Sequence, residues 1–579
     1  MDATAYPSPD RHERQLTVRA ILTGLLIGAL LAPCNIYSGL KIGWAFNMSI
    51  AAALLGLAFW RAMQPLGARP FGLHENAISQ TGASAAASIV SSGLAAPIPA
   101  LALVTGQTLA WHWLAVWLFV VSLLGVVVAV GLRRQLLINE QLAFPAGVAT
   151  AETLRDIYAR GHEALARVRW LAAAALLSAA WKLTQEWLIN LPRLIPALAL
   201  PGRGVNTHNL GLFPDPSLLL FGFGAIIGLR VGLSLLFGAL LAWGLLAPWL
   251  LARGWVEAGA AGEIWFAELV EWLLWPGVTL MVSSALTTLL LTLARRRPRP
   301  AAAGEAETTV SRRGFISLAL LASLLAVAGQ MSLFGIQPHA AVIAVVLSFA
   351  LAVVAARVAG ETGITPIGAV GKVTQVAFAW VSPGQAGNNL LAANVTGGAT
   401  DQGADLLHDL KAGLLLGVQA RLQVLAQIFG IAAGALAGSA AYLLLIPDPE
   451  AMLLTPEWPA PAVATWKAVA EVLQQGLSAL PPGVPPAMAV AALLGMVSAW
   501  LARGRFGRWL PSAPALGLAF VIPASNSITL CLGAVLAALL QRRAAAWAQR
   551  FLLAIAAGLV AGESLAGVGT AFIQLVFSG

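Results

Sequence analysis

The chain has 579 residues, of which 59% are hydrophobic and only 10% charged, and its formal net charge is +9; the mean hydropathy is +0.81. Such a composition excludes a string of soluble domains, and the charge excess does not indicate nucleic-acid binding. Its arginines fall in short clusters between apolar runs, as cytoplasmic loops do under the positive-inside rule.

A membrane-spanning helix needs about 20 apolar residues, and about twelve to sixteen such stretches can be laid along the sequence. The expected fold class is therefore an all-α polytopic membrane protein. A β-barrel would show alternating strands of about 10 residues instead. Cys34 and Cys531 both lie in apolar surroundings, which implies neither a disulfide framework nor a thiolate metal site. Twenty tryptophans against four tyrosines suit interfacial belts.

From the N-terminus, Arg11, Arg14 and Arg19 predict a cytoplasmic start. A first span over about residues 17–36 ends in APCNIYSGLKIGW. There Asn35, Tyr37 and Lys41 stand beside glycines, the pattern of a broken helix lining a cavity or of an external turn. A second span covers residues 45–63. The segment 74–101, HENAISQTGASAAASIVSSGLAAPIPAL, carries Glu75, Asn76 and Gln80 at its head, and its small residues permit close helix contact.

Residues 111–132 form the next span. In NEQLAFPAGVATAETLRDIYARG, residues 139–161, Phe144, Pro145 and Gly147 interrupt an apolar stretch and predict a re-entrant hairpin. Further spans follow at 170–191, 218–251 and 272–293. Lys182 and Glu186, four apart, predict a structural ion pair. The basic, Pro/Ala-rich stretch 295–313 predicts a cytoplasmic linker between an N-terminal transmembrane half, 1–294, and a C-terminal one, 314–579.

After spans at 315–334 and 340–358, GETGITPIGAVGKVTQ (360–375) is too polar and interrupted for a simple span. The stretch GNNLLAANVTGGATDQGADLLHDLKAG, 387–413, organises the second half. Asp401, Asp405 and Asp409 recur every fourth residue and share one helix face, with His408 and Lys411 close by. Thr396, Gly397 and Gly398 predict a loop just upstream. Carboxylates among apolar spans mark a pathway or a site; the alternative is that Asp405, Asp409 and Lys411 form a solvated helix end. A long apolar run to residue 446, a Pro-rich outer loop over 447–486 and the closing spans complete the chain, with Glu563 late in the last. Short correspondences between the halves, QTGAS (80–84) with VTGGA (395–399) and FPAG (144–147) with APALG (513–517), point to two pseudo-repeated halves, as in many transporters.

Taken together, AANVTGGATDQGADLLHDLKAGLLLGVQARLQVLAQIFG, NIYSGLKIGW, ENAISQTGASAA and FPAGVATAETLR resemble the oligopeptide transporter family, in that family's order and over nearly the whole chain. The length is similar to that of its prokaryotic members, nearer the yellow-stripe branch. Ser382-Pro383-Gly384 stands where the peptide branch has Asn-Pro-Gly. The resemblance implies about 16 transmembrane helices in two related halves, with re-entrant hairpins around a site near the bilayer midplane. It also implies proton-coupled import of small peptides or metal chelates, with the proton gradient as energy source and no cofactor.

Alternating access around that site needs both signs of charge for a zwitterionic cargo. The expected cargo contacts are Lys41 or Lys372 for carboxylates, and Asn35, Tyr37, Gln80, Gln375, Asn389 and Asn394 as neutral partners. Glu75, Glu361 or Asp401 is expected to carry the coupling proton. Asp405, Asp409 and Lys411 are expected in gating or structural places. His74, His112, His339 and His408 are too dispersed to specify a metal. The expected setting is the lipid bilayer of a bacterial cytoplasmic membrane, with a homodimer as a possible assembly. Competing readings are a Mg-dependent intramembrane enzyme acting on isoprenoid diphosphates, whose carboxylates would hold the ion, and a passive channel.

Overall fold

The computed structural model describes residues 14–43, 48–159, 161–187, 198, 205–260, 262–293, 311–362, 365–476, 480–504, 507 and 509–577. Among them the regular structure is helical throughout. Twelve helices are long and apolar enough to cross a membrane, and two shorter apolar helices, Leu218–Ile227 and Ile367–Val381, accompany them. The protein is therefore a multi-pass membrane protein, and the expected count of about 16 spans is approximate.

The chain forms two compact units. The first comprises Met1–Ile36, Ala45–Val168 and Arg295–Leu443; the second comprises Tyr37–Trp44, Arg169–Ala294 and Leu444–Gly579. Each unit thus gathers chain from both sides of the 295–313 stretch. Most of that stretch lies outside the described residues, and its end opens the Arg312–Phe334 helix, whose N-cap Ser311 accepts a hydrogen bond from the Gly314 N–H at 3.2 Å.

In the first unit the axis is the helix Ala386–Leu416, 31 residues long and buried along almost its whole length. It packs against Trp111–Arg133, Pro338–Thr362, Ile367–Val381 and Pro145–Ala159. The loop expected at Thr396-Gly397-Gly398 does not form. In apolar surroundings each backbone group must find an internal partner, which helix supplies, and this outweighs the ~1 kcal/mol propensity cost of each glycine. The small residues serve contact instead: a Cβ at Gly125 would lie 2.7 Å from the Ala399 carbonyl, so the two helices touch backbone to backbone.

A second difference lies in the first span. The helix Val18–Ile42 runs unbroken through Asn35, Tyr37 and Lys41, with Pro33 inside it. The break comes at Gly43, whose φ of 75° suits only glycine, and the next helix is Ser49–Met63. The small-residue segment 74–101 is interrupted: Leu73–Ala87 tightens into a 3₁₀ turn at Ser88–Ser92 and the chain restarts as Pro97–Thr105.

The 139–161 stretch becomes the helix Pro145–Ala159 preceded by a sharp corner. At that corner Phe144 is fully buried with a left-handed φ of 44°. Its N–H donates to the Gly360 carbonyl at 2.9 Å, and its ring meets His408 edge-on at 5.2 Å.

In the second unit Phe266–Leu293 packs on Val484–Leu501 and Ala513–Ala519. Ala524–Arg543 packs on Leu218–Ile227 and Leu229–Ala239, and Ala545–Phe577 covers Leu218–Ile227. The 447–486 stretch is not simply a loop. It holds the helix Pro461–Gln475, with proline at its first position and Val463, Trp466 and Ala470 turned inward.

Candidate functional site

Two polar constellations stand out, one within each unit. In the first unit, Asp401, Asp405 and Asp409 face Gln80, Ser84, Ser88 and Ser91, which recur every three or four residues along the opposing segment and so share its face. Ser91 lies beside Asp401 and Ser88 beside Asp405. The Gln80 amide donates to Asp409 Oδ1 at 2.8 Å. Ser49 also reaches Oδ1, at 3.4 Å, and lies 3.0 Å from the Ser84 hydroxyl. Gln423 closes the network by donating to the Asp409 carbonyl at 2.7 Å and to Thr81 at 3.2 Å. Asp409 Oδ2 is buried without a hydrogen-bond partner among the described residues.

Asp409 and Lys411 are 2% and 5% exposed, so the solvated-helix-end alternative fails. Only Asp405 is partly exposed. A seam of this kind ties the two segments together, because the Gln80 and Ser49 donors that meet Asp409 would otherwise be stranded in an apolar interior.

Several other expected residues of this unit are also engaged between helices. Asn35 donates to the Ala87 carbonyl at 3.0 Å. Asn394 donates to the Ser92 carbonyl at 2.7 Å and accepts from the Trp117 indole at 2.8 Å. Asn389 donates to the Gln375 carbonyl, and Lys372 and Gln375 are buried on the same helix. Glu75 lies in an ion pair with Arg19, supplemented by Thr17 and Arg69. The side chain of Glu361 lies outside the described residues.

The second unit contains a cavity of about 430 Å³, within the range of small-molecule sites. Tyr37 and Lys41 come to it from the end of the first helix, where their ring and ammonium approach Trp458. The rings of Tyr37 and Trp458 meet edge-on at 5.2 Å, and Lys41 Nζ lies 5.1 Å from the Trp458 centroid, a cation–π distance. Lys182 and Glu186 line the wall as the expected ion pair, at 2.7 Å. Asp215, Glu457, Asn526 and Glu563 complete the polar lining.

The segment Pro214-Asp215-Pro216-Ser217 builds the floor by capping the helix Leu218–Ile227. Ser217 Oγ accepts from the Leu220 N–H at 3.1 Å, and the Ser217 N–H donates to Asp215 Oδ1 at 2.9 Å. Two lysines and four carboxylates give the walls a formal charge of two negative units. The arrangement can hold a molecule carrying both signs.

Sequence reading reached only Tyr37 and Lys41 of this group as cargo contacts and took Lys182 and Glu186 as structural. Asp215, Glu457, Asn526 and Glu563 were missed, although a carboxylate deep in the last apolar run was itself a signal. The structure does not gather the expected set into one place: Tyr37 and Lys41 line this cavity, and the remainder with described side chains belong to the first unit. Among the described residues no group of three or more His, Cys, Asp or Glu side chains could hold a metal ion.

Comparison with known proteins gives these sites their context. The family described as OPT oligopeptide transporter protein matches residues 15–574. The metal-nicotianamine transporter YSL2 of Arabidopsis thaliana is 27% identical, over 96% of this chain and 93% of its own. The iron-phytosiderophore transporter yellow stripe 1 of Zea mays is 25% identical over 95% and 89%. A putative oligopeptide transporter of Saccharomyces cerevisiae is 24% identical over 74% and 78%. These relatives are transporters, which removes the intramembrane-enzyme alternative. With nearly its whole length matched, the chain belongs to the oligopeptide transporter family.

Proposed function

We propose that the protein is a secondary active, proton-coupled importer of small peptides or peptide-like metal chelates across a bacterial cytoplasmic membrane, its N-terminus in the cytosol. The observation that carries this reading is the charged cavity of the second unit. Peptides and the chelates named for the plant relatives share amine and carboxylate groups, and this cavity offers partners for both. Lys41 and Lys182 receive carboxylates, while the acidic side chains receive the amine or the cationic part. The net negative wall favours cargo that arrives with extra positive charge, whether a proton or a chelated metal ion.

The first unit has a different part in this reading. Its carboxylates are engaged with neighbouring helices, so Asp401, Asp405, Asp409 and Lys411 hold a polar seam, and Glu75 is held by Arg19. The test is uptake by the purified protein in liposomes, with di- to pentapeptides screened against iron and nickel chelates. Uphill accumulation driven by an inward proton gradient is the expected result. A gradient-independent leak, or no uptake of any member of either class, refutes the proposal.

A further inference from the structure

Glu563 is deeply buried at 4% exposure, yet it lines the cavity. From the helix Ala545–Phe577 it reaches the first turn of Leu218–Ile227. Its Oε2 accepts the Leu219 N–H at 2.8 Å, and its Oε1 accepts the Ser217 hydroxyl at 2.6 Å. First-turn N–H groups lack intrahelical partners and are where anions bind. The chain's own carboxylate therefore occupies an anion position inside a chamber that also presents two lysines. The chamber shows a second sign of an intended guest. Tyr37 and Asn526, 3% and 4% exposed, both line it, and neither side chain has a hydrogen-bond partner among the described residues.

We infer that Glu563 is an internal stand-in for the cargo's carboxylate: cargo entry displaces it from Ser217 and Leu219, and it takes up the coupled proton as it leaves. This rests on the transport reading above. The balance is simple. One O–H bond forms on the Glu563 carboxyl with a proton from the solvent that admits the cargo, and two hydrogen bonds pass from Glu563 to the cargo.

The charges facing Glu563 explain why the two events are tied. Lys41 beside Tyr37, and Lys182 beside Glu186, approach from two helices, while Asp215 and Glu457 come from the connecting segments. An incoming carboxylate without a proton would be a fifth anionic group in the chamber, against Lys41, Lys182 and the cargo's own amine. With the proton the number of anionic groups stays at four. The proton thus offsets the negative charge of the guest's carboxylate.

The experiment is calorimetric titration of dialanine, and separately of nickel–nicotianamine, into purified protein in two buffers of different ionisation enthalpy. Binding to the wild type should take up about one proton and weaken up to about tenfold per pH unit as pH rises. In Glu563→Gln, which keeps the side chain's shape, proton uptake and the pH slope should both vanish. Dialanine amide, which has no carboxylate, should bring no proton uptake in the wild type even if the variant fails to fold. For the chelate, Ser217→Ala should weaken binding about fivefold through one lost donor. Retention of proton uptake in Glu563→Gln, equal uptake with the amide, or binding to the wild type with none, overturns this assignment alone. Failure of both probes to bind overturns the transport reading as well.

Discussion

The sharpest separation between structural and coupling carboxylates comes from Glu75. Its carboxylate accepts from Arg19 Nε at 2.9 Å and from Arg19 Nη2, from Thr17 Oγ1 at 2.7 Å and from Arg69 Nη2 at 3.2 Å. The Arg19 and Glu75 side chains are 14% and 6% exposed. Arg19 is held further by the carbonyls of Arg69 and Pro70, at 3.0 and 2.8 Å, and its guanidinium lies 5.0 Å from the Trp60 ring centroid and 5.2 Å from that of Phe71. Removing one member of a buried pair costs about 3–5 kcal/mol. Because Arg19 keeps two carbonyls and two rings, Glu75→Ala should fall at the low end, about 3 kcal/mol. Glu75→Gln keeps acceptors for Arg19 and Thr17 and exchanges charge-assisted bonds for neutral ones, a loss of about 1–1.5 kcal/mol.

Thermal and SDS unfolding of detergent-solubilised protein, followed by tryptophan fluorescence, measures both losses, and a double-mutant cycle with Arg19→Ala isolates the pair. Uptake per folded molecule, and its dependence on the proton gradient, should survive in Glu75→Gln. A variant of unchanged stability whose uptake no longer responds to the gradient would show that Glu75 couples after all, and the structural argument would be wrong.

Two further outcomes follow from packing in the first unit. A Cβ at Gly147 would run into the His408 carbonyl and lie 3.0 Å from Lys411 Cβ, so Gly147→Ala must push Pro145–Ala159 off the Ala386–Leu416 helix. A loss of about 1–3 kcal/mol is expected, read as a lower melting temperature; an unchanged melt would contradict the close approach. Trp117→Phe removes the indole donor to Asn394 while Asn394 keeps its bond to the Ser92 carbonyl. It should cost about 1–2 kcal/mol in the same unfolding assay and leave cargo affinity unaltered, because Trp117 does not line the charged cavity.

Membrane class and the run of spans were legible because apolar length is a local property of the chain. The Lys182–Glu186 pair was legible for the same reason, being set by four-residue spacing on one helix. Local reading failed where the surroundings reverse a residue's usual meaning. Gly397 and Gly398 signal a loop in water, but in an apolar interior both stay within a 31-residue helix, which Gly398 lets approach Val121 and Ser92. The broken helix or external turn expected over Asn35–Lys41 is likewise helical to Ile42, although Tyr37 and Lys41 do line a cavity. The cavity was the least legible element, since its walls come from residues near 37–41, 182–186, 215–220, 457, 526 and 563. Its four carboxylates, Glu186, Asp215, Glu457 and Glu563, are far apart in the sequence, so only the fold assembles the charge balance of the cavity.

Phe144 carries a last consequence. Left-handed backbone costs an ordinary side chain about 1–2 kcal/mol and a glycine almost nothing, so the corner before Pro145 would be easier to form without a ring. The ring fills a fully enclosed place, edge-on to His408, and a Cβ at Gly360 would lie 2.8 Å from it. It acts as a wedge that locks three segments at a single point. Exchanging it for glycine would relax the corner yet leave a void among them, trading local ease for a loosened junction.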